Sequence, residues 1–184
     1  MEIKKAIYER KSPMSFTPQK IENEKVAAIV EAGNYAPIYG SIHFTVIENQ
    51  NLFDTIKSTT IGMFQNMGGD FAKAASTPGY DPLYGAPTAI VLSGLNGNDS
   101  QGFNMANVSC AAQNMILMAT DMGIGSRYVM APVMAFSSPE VLSQINVPDN
   151  YIPLCMVLIG YTNEKTLTER THETKNINYV YELK

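Results

Sequence analysis

The residues with the clearest chemical potential stand near the start of the chain. Arg10, Lys11 and Ser12 follow one another directly after a short amphipathic segment. Cationic and hydroxyl groups both donate hydrogen bonds to phosphate oxygens, so this triplet suits a phosphate-binding loop at a helix end. Taken alone, Arg10 is more typical of a solvated cation, and the functional interpretation depends on the residues around it.

The common catalytic motifs are missing from the sequence. It contains no GxSxG elbow, no HExxH pair and no GxxxxGK[ST] loop, and its histidines are His43 and His172. His43 falls in an alternating strand pattern, where a structural, hydrogen-bonded histidine is more common than a catalytic one. Residues 123–128 begin like a dinucleotide fingerprint but lead from a helix into a strand, the reverse of the required order. We interpret them as a helix stop and turn, and hydrolase and metal chemistry are disfavoured.

The composition indicates one domain, residues 1–184, with an ample core and few surface charges. Lys and Arg number 13 against 17 Asp and Glu, giving a formal net charge of −4. Only 16% of residues are charged, where about 25% is usual, and 45% are hydrophobic. An acidic chain with few clustered cations does not suit a nucleic acid partner. The low charge instead favours a large core or a subunit interface.

The apolar runs and the cysteines narrow the class further. Residues 86–95 and 151–161 are too short and too interrupted for a bilayer span, which needs about 18 apolar residues. The chain start has no apolar signal core, so we expect a cytoplasmic protein without a membrane partner. Cys110 and Cys155 lack the spacing of a zinc site or a disulfide framework, and we expect both to be buried as small apolar side chains.

Hydrophobic periodicity predicts alternating helices and strands. The strongest helix is the one at residues 104–122, whose apolar residues cover most sides and which should therefore be central. The order of elements predicts an α/β or α+β sandwich, with a last strand at residues 177–181 docking elsewhere. Helices are predicted at 2–10, 22–36, 52–75 with glycine interruptions, 104–122 and 137–145, and strands at 43–48, 88–93, 126–130 and 152–159.

Five segments, taken in order, resemble one family, the flavin-dependent nitroreductases. The first reads Ile-Tyr-Glu-Arg-Lys-Ser and is similar to the family's basic-basic-serine opening. The most specific is the long helix with its glycine turn, which looks like the family's central dimer helix. The five segments are residues 7–12, 36–44, 84–91, 112–126 and 146–161.

The resemblance implies an α+β fold with a central, mostly antiparallel sheet flanked by helices. It also implies an intertwined homodimer with FMN at the subunit interface. The C-terminal tail, about residues 162–184, is then expected to dock on the partner subunit.

The resemblance also carries site residues onto this chain. Arg10, Lys11 and Ser12 match the phosphate and ribityl motif, while Met14 stands where the family has a second cation and can offer only its backbone. At residues 78–82 the family often has a lysine near the flavin pyrimidine ring, and this chain has none. The remaining matches are Pro37, Ile38, Tyr39 and Ser41, which reach the partner's flavin; Tyr128, Val129, Met130 and Ala131, whose backbone approaches the flavin N5 and O4 edge; and Arg170 or Lys175 as a further phosphate cation.

The expected function is therefore that of an FMN-dependent oxidoreductase. It takes a hydride from NAD(P)H through flavin N5 and passes two electrons to a nitroaromatic, a quinone or a similar acceptor in a ping-pong sequence. No side chain is expected to be catalytic, because the flavin carries the chemistry. The alternatives are a flavin-binding protein without turnover, for storage or redox response, and a flavin-free structural dimer.

Overall fold

Four antiparallel strands form the centre of the fold in the computed structural model, which describes residues 2–97 and 101–164. Their order across the sheet is β1-β2-β4-β3, and each neighbouring pair is antiparallel. The predicted antiparallel α+β sheet flanked by helices is confirmed. The strands are β1 Ile42–Ile47, β2 Thr88–Leu95, β3 Gly125–Val129 and β4 Tyr151–Gly160.

The helices agree with the predicted periodicity to within a few residues. The glycine-interrupted segment breaks at Gly68 and Gly69, whose φ angles of 72° and 57° are left-handed and end the preceding helix. The helices are α1 Ile3–Glu9, α2 Asn23–Asn34, α3 Gln50–Met67, α4 Gly69–Ala75, α5 Gln101–Asp121 and α6 Pro139–Leu142, with short 3-10 turns at Ala131–Ser137 and Ser143–Ile145. None of the helices in the described ranges is both long and apolar enough to cross a membrane.

Alternate residues of the two central strands, β2 and β4, pack into two separate hydrophobic cores on opposite faces of the sheet. On β2, Ile90 and Leu92 pack toward α2 and α5, while Val91 faces the layer that contains α3. On β4, Val157 and Leu158 divide in the same way. Strands covered on both faces need apolar residues at every position, which is why 152–159 reads as a nearly continuous apolar run. Helix α5 is central, as predicted, with Met115 fully buried against the sheet.

The two cysteines differ in environment. Cys155 on β4 is buried as predicted, and burial raises the pKa of its thiol to about 12, which keeps it protonated and unreactive. The prediction that Cys110 is buried is wrong, because this residue is exposed. The helical repeat turns Ala111 and Ala112 toward the sheet and leaves Cys110 on the outer side of α5.

A charged network fastens the end of β4 to the start of α2. The Tyr161 hydroxyl donates to Glu22 Oε2 at 2.6 Å and accepts from Lys25 Nζ at 2.8 Å. The Lys25 ammonium also lies 3.0 Å from the Glu22 carboxylate. The hydrogen bond from Tyr161, with Lys25 adding to it, lowers the pKa of Glu22 to about 2.

We expect this network to be lost only in strong acid. Since the folded-state pKa of Glu22 lies below its ordinary value of 4.5, its contribution to stability is present above pH 4.5 and disappears as the pH falls toward 2. A carboxyl-carbon NMR titration should give Glu22 a midpoint near 2. Tyr161→Phe should raise that midpoint more than Lys25→Met does, and a wild-type midpoint at 4.5 would contradict the network.

Candidate functional site

The N-terminal loop, residues 10–16, lies across the end of the sheet where β3 begins and β4 finishes. Its end is held through the main chain: Phe16 N–H donates to the Tyr84 carbonyl at 3.1 Å, and the N–H of Thr17, the next residue, donates to the Tyr161 carbonyl at 2.8 Å. A Cβ atom built on Gly160 would lie 2.8 Å from the Phe16 ring. The loop can therefore seat itself on β4 only because that strand ends in glycine.

Within the loop, the predicted phosphate-binding residues lie together. Arg10 Nη1 donates to the Ser12 hydroxyl at 3.3 Å, which brings a guanidinium and a hydroxyl to the same side of the turn. Lys11 Nζ donates to the backbone carbonyl of Glu164. Met14 offers its backbone N–H, as expected from its side chain, and this N–H donates to Glu164 Oε1 at 2.8 Å. The loop thus exposes cations, a hydroxyl and a backbone donor within a few consecutive residues.

Arg127 is a candidate site residue that the sequence patterns did not indicate. It lies on β3, and its Nη1 donates to the carbonyls of Ser12 and Pro13 at 3.2 and 3.1 Å and to Met14 Sδ at 3.3 Å. A guanidinium suits this role because its planar fork can serve several acceptors at once. Arg127 therefore holds the loop in place and brings a cation beside Met14, where the resemblance led us to expect one. The sequence signal was an arginine in an otherwise uncharged strand.

Arg127 is itself held by Tyr84. The guanidinium carbon lies 4.0 Å from the centre of the Tyr84 ring, and Nη2 donates to the Tyr84 hydroxyl at 3.1 Å. Tyr84 has a φ of 56°, a left-handed conformation that is costly for a bulky residue. Asp81 supports this turn by accepting from the N–H groups of Leu83 and Gly85 at 2.9 and 3.0 Å. The turn after α4 therefore presents one aromatic ring to the cation of β3.

The second predicted group lies at the other end of β3. Tyr128 faces α5, where its hydroxyl lies 3.9 Å from Met105 Sδ, and burial raises the pKa of this phenol. Val129 is buried in the core, whereas Met130 is 51% exposed and Ala131 begins a 3-10 turn. The strand thus ends at a surface, with its last backbone groups about 13 Å from Gly125, at about 3.3 Å per residue.

The third predicted group, at residues 37–41, lies at the end of the sheet opposite the N-terminal loop. Asn107 on α5 accepts from Tyr39 N–H at 2.9 Å and donates to the Tyr39 carbonyl at 2.6 Å. The Tyr39 side chain is 81% exposed, and its ring centre lies 5.9 Å from that of Phe103. Pro37 and Ser41 are also exposed, while Ile38 packs on the core.

Strand register shows that one chain keeps this third group away from the N-terminal loop. Residue Ile42, which follows the 37–41 loop, lies opposite Gly94, and Gly94 lies opposite Ile152 on β4. The N-terminal loop instead lies by Gly160, about 26 Å further along that strand at about 3.3 Å per residue. Arg170 and Lys175, the predicted C-terminal cations, lie outside the described residues.

A polar cleft of about 320 Å³ opens between the N-terminal loop and the turn that joins α5 to β3. Its charged walls are Lys11, Glu9 and Glu164, and its floor is formed by the glycines of the turn. Across the described ranges, no group of three or more His, Cys, Asp or Glu side chains is placed to hold a metal ion. Lys11 of the N-terminal loop thus borders this cleft together with two carboxylates, and an exposed surface lies at the end of β3.

The fold defines a class: α+β proteins with a central antiparallel sheet flanked by helices. The model of the nitroreductase family matches residues 7–161, and the chain belongs to that family. No curated protein matches the sequence significantly.

Solved structures with the same fold cover nearly the whole chain. A nitroreductase with bound FMN from Bacteroides fragilis is 27% identical, with a TM-score of 0.85 over 98% of this chain and 100% of its own. A nitroreductase with bound FMN from Desulfitobacterium hafniense is 24% identical, with a TM-score of 0.87 and the same coverage. An FMN-dependent nitroreductase from Clostridium difficile is 17% identical, with a TM-score of 0.81 over 97% of this chain and 99% of its own.

Proposed function

We propose that this protein is an FMN-dependent oxidoreductase that takes electrons from NAD(P)H and reduces a nitroaromatic, a quinone or a similar acceptor. The observation that carries the proposal is the cluster of phosphate donors in residues 10–14, fixed by Arg127 at the edge of the sheet. Family membership and the FMN bound by the Bacteroides fragilis nitroreductase support the same assignment.

The donors present fit FMN. Arg10, Lys11 and the Met14 N–H suit a phosphate, since charge-assisted hydrogen bonds to phosphate oxygens are strong. Met130, which directly follows β3, is exposed, and the ribityl chain of FMN would separate its phosphate from its ring along the direction of that strand. The cofactor therefore suits both ends of β3.

Bound FMN would supply the redox chemistry, accepting a hydride at N5 and later giving two electrons to the second substrate in a ping-pong sequence. The protein's own part is to bind and to orient. The loop holds the phosphate, the strand end fixes the ring edge through backbone groups, and the exposed surface beside Met130 leaves room for a substrate. No side chain has to move a proton in this scheme.

We further propose a homodimer in which the partner subunit supplies residues 37–41. These residues lie at the far end of the sheet from residues 10–14 within one chain, which supports their contacting the flavin of the partner subunit. The outer face of α5 leaves a largely apolar stripe accessible, defined here by Phe103, Ala106, Cys110 and Leu117 and interrupted by Gln113 and Asn114. A neighbouring groove of about 380 Å³ adds Ile3 from α1.

An absorption spectrum of the purified protein, with and without added FMN, tests the proposal. Flavin bands that bleach under anaerobic NADH or NADPH and return with a nitroaromatic or a quinone would support it. Bands that persist with nicotinamide but bleach on photoreduction favour a flavin-binding protein without turnover, an alternative that Met14 supports because it brings no charge to the site. A colourless protein after FMN addition favours the structural dimer.

Replacing Arg10 with alanine should weaken FMN binding about 10- to 100-fold. A hydrogen bond to a charged group contributes about 1.5–3 kcal/mol, and the substitution removes the guanidinium from the phosphate loop. Quenching of flavin fluorescence on titration measures the Kd. Lys4→Ala is the matched control, because Lys4 is an exposed cation of α1 outside the loop. Unchanged affinity in the Arg10 variant removes this residue from the site.

A further inference from the structure

Glu164 engages two of the donors that the proposed function assigns to a phosphate, Lys11 and the Met14 N–H, and also the neighbouring Ser15 hydroxyl. Its carboxylate oxygen Oε1 accepts from Met14 N–H at 2.8 Å and from the Ser15 hydroxyl at 3.0 Å. Its backbone carbonyl accepts from Lys11 Nζ. One residue, far from the loop in sequence, thus engages two side chains and one backbone group of residues 11–15.

The chemistry of this contact is that of an anion in an anion site. A carboxylate and a phosphate oxygen both accept from backbone N–H, hydroxyl and ammonium donors, and they compete when the donors are the same. The Glu164 N–H also donates to the Thr162 hydroxyl at 3.1 Å, and this hydrogen bond orients the backbone of Glu164. The Glu164 contact is therefore built from both its backbone and its side chain.

We propose that Glu164 is an internal competitor for the phosphate of the bound flavin and so sets how much that phosphate contributes to affinity. This inference rests on the proposed function. Binding of the phosphate at the Met14 N–H and Ser15 hydroxyl displaces the carboxylate, so part of the phosphate's interaction energy is spent on exchanging one anion for another. The chain consequently discriminates less strongly between FMN and riboflavin than a loop with vacant donors does.

The first experiment compares FMN with riboflavin, which lacks the phosphate, in the wild type and in Glu164→Gln. The substitution keeps the size of the side chain and removes its charge, so we expect the FMN Kd to fall about tenfold while the riboflavin Kd stays within about twofold. Glu9→Gln is the matched control, because Glu9 lines the same cleft and its removal changes the net charge equally.

The results distinguish direct competition by the Glu164 carboxylate from a general effect of removing a negative charge near the cleft. Tighter FMN binding in Glu164→Gln alone supports the competition. Equal gains in the Glu9 and Glu164 variants, or equal gains for FMN and riboflavin, would each overturn it. Weaker FMN binding in Glu164→Gln would also overturn it, and urea unfolding would then show whether Glu164 holds the loop in place instead of competing with the phosphate.

Where FMN binding is tighter, Ser15→Ala removes one contested donor and should reduce the FMN gain of Glu164→Gln in the double variant.

Inorganic phosphate separates this inference from the proposed function. Thermal unfolding with added phosphate should show a larger stabilisation of Glu164→Gln than of the wild type, whether or not flavin binds. If FMN fails to bind but this difference appears, the flavin proposal fails and the guarded anion site stands. If FMN binds and neither the phosphate effect nor the FMN gain appears, the role of Glu164 is refuted. If neither ligand binds any variant, both proposals fail.

Discussion

Replacing Arg127 with leucine should lower both the stability of the protein and its affinity for FMN. The variant loses the donors that face the Ser12 and Pro13 carbonyls, as well as the stacking on Tyr84. Hydrogen bonds from a charged group contribute about 1.5–3 kcal/mol, and a cation over an aromatic ring contributes about 0.5–2 kcal/mol. Since these terms are not additive, we expect a net loss of about 2–3 kcal/mol in the free energy of unfolding.

The affinity effect should be of similar size, because the loop that binds the phosphate is no longer fixed and a cation beside Met14 is gone. We expect the FMN Kd to rise about 30- to 100-fold, measured by fluorescence titration, with urea unfolding giving the stability. Arg127→Lys should keep only part of the stability and part of the FMN affinity, since an ammonium keeps the charge but has neither the planar guanidinium donors nor the stacking on Tyr84.

Lys73→Leu is the matched control for charge removal. Lys73 lies on α4 and pairs with Asp70 in solvent, and such exposed ion pairs contribute little. An Arg127→Leu protein that behaves like Lys73→Leu in both assays refutes the role given to Arg127.

Replacing Cys110 with arginine should convert the proposed dimer into monomers. The substitution places a cation in the apolar stripe on the outer face of α5, where association would strip it of water without a partner. Stable interfaces bury about 1,200–2,000 Å² in total and tolerate an unpaired central charge poorly. Light scattering on a sizing column should give twice the 20.2 kDa chain mass for the wild type and a single chain mass for the variant.

The same variant tests whether the flavin site needs two chains. Because residues 37–41 lie at the far end of the sheet from the N-terminal loop, the monomer should bind FMN at least about tenfold more weakly. Ser58→Arg adds the same charge to an exposed position of α3 and should leave both mass and affinity unchanged. A Cys110→Arg protein that stays dimeric, or a monomer with wild-type affinity, contradicts the shared site.

Local periodicity was sufficient for much of the fold. Helix α5 and the apolar strand β4 were predictable because each must bury a defined set of positions, and the set repeats about every 3.6 or every two residues. The glycine break after α3 was predictable because left-handed backbone favours glycine. The position of Cys110 was not, because composition alone does not say which side of an apolar helix faces the sheet.

The site shows the same division. The sequence by itself determined the chemistry of residues 10–12, since a guanidinium, an ammonium and a hydroxyl suit a phosphate in any fold, and family resemblance assigned that chemistry to a flavin. The tertiary structure alone decided that Arg127 and Glu164 converge on this loop from β3 and from the end of β4. Sequence patterns record the spacing of neighbours along the chain, whereas contacts between residues more than a hundred positions apart arise only when the sheet's register brings the strand ends together.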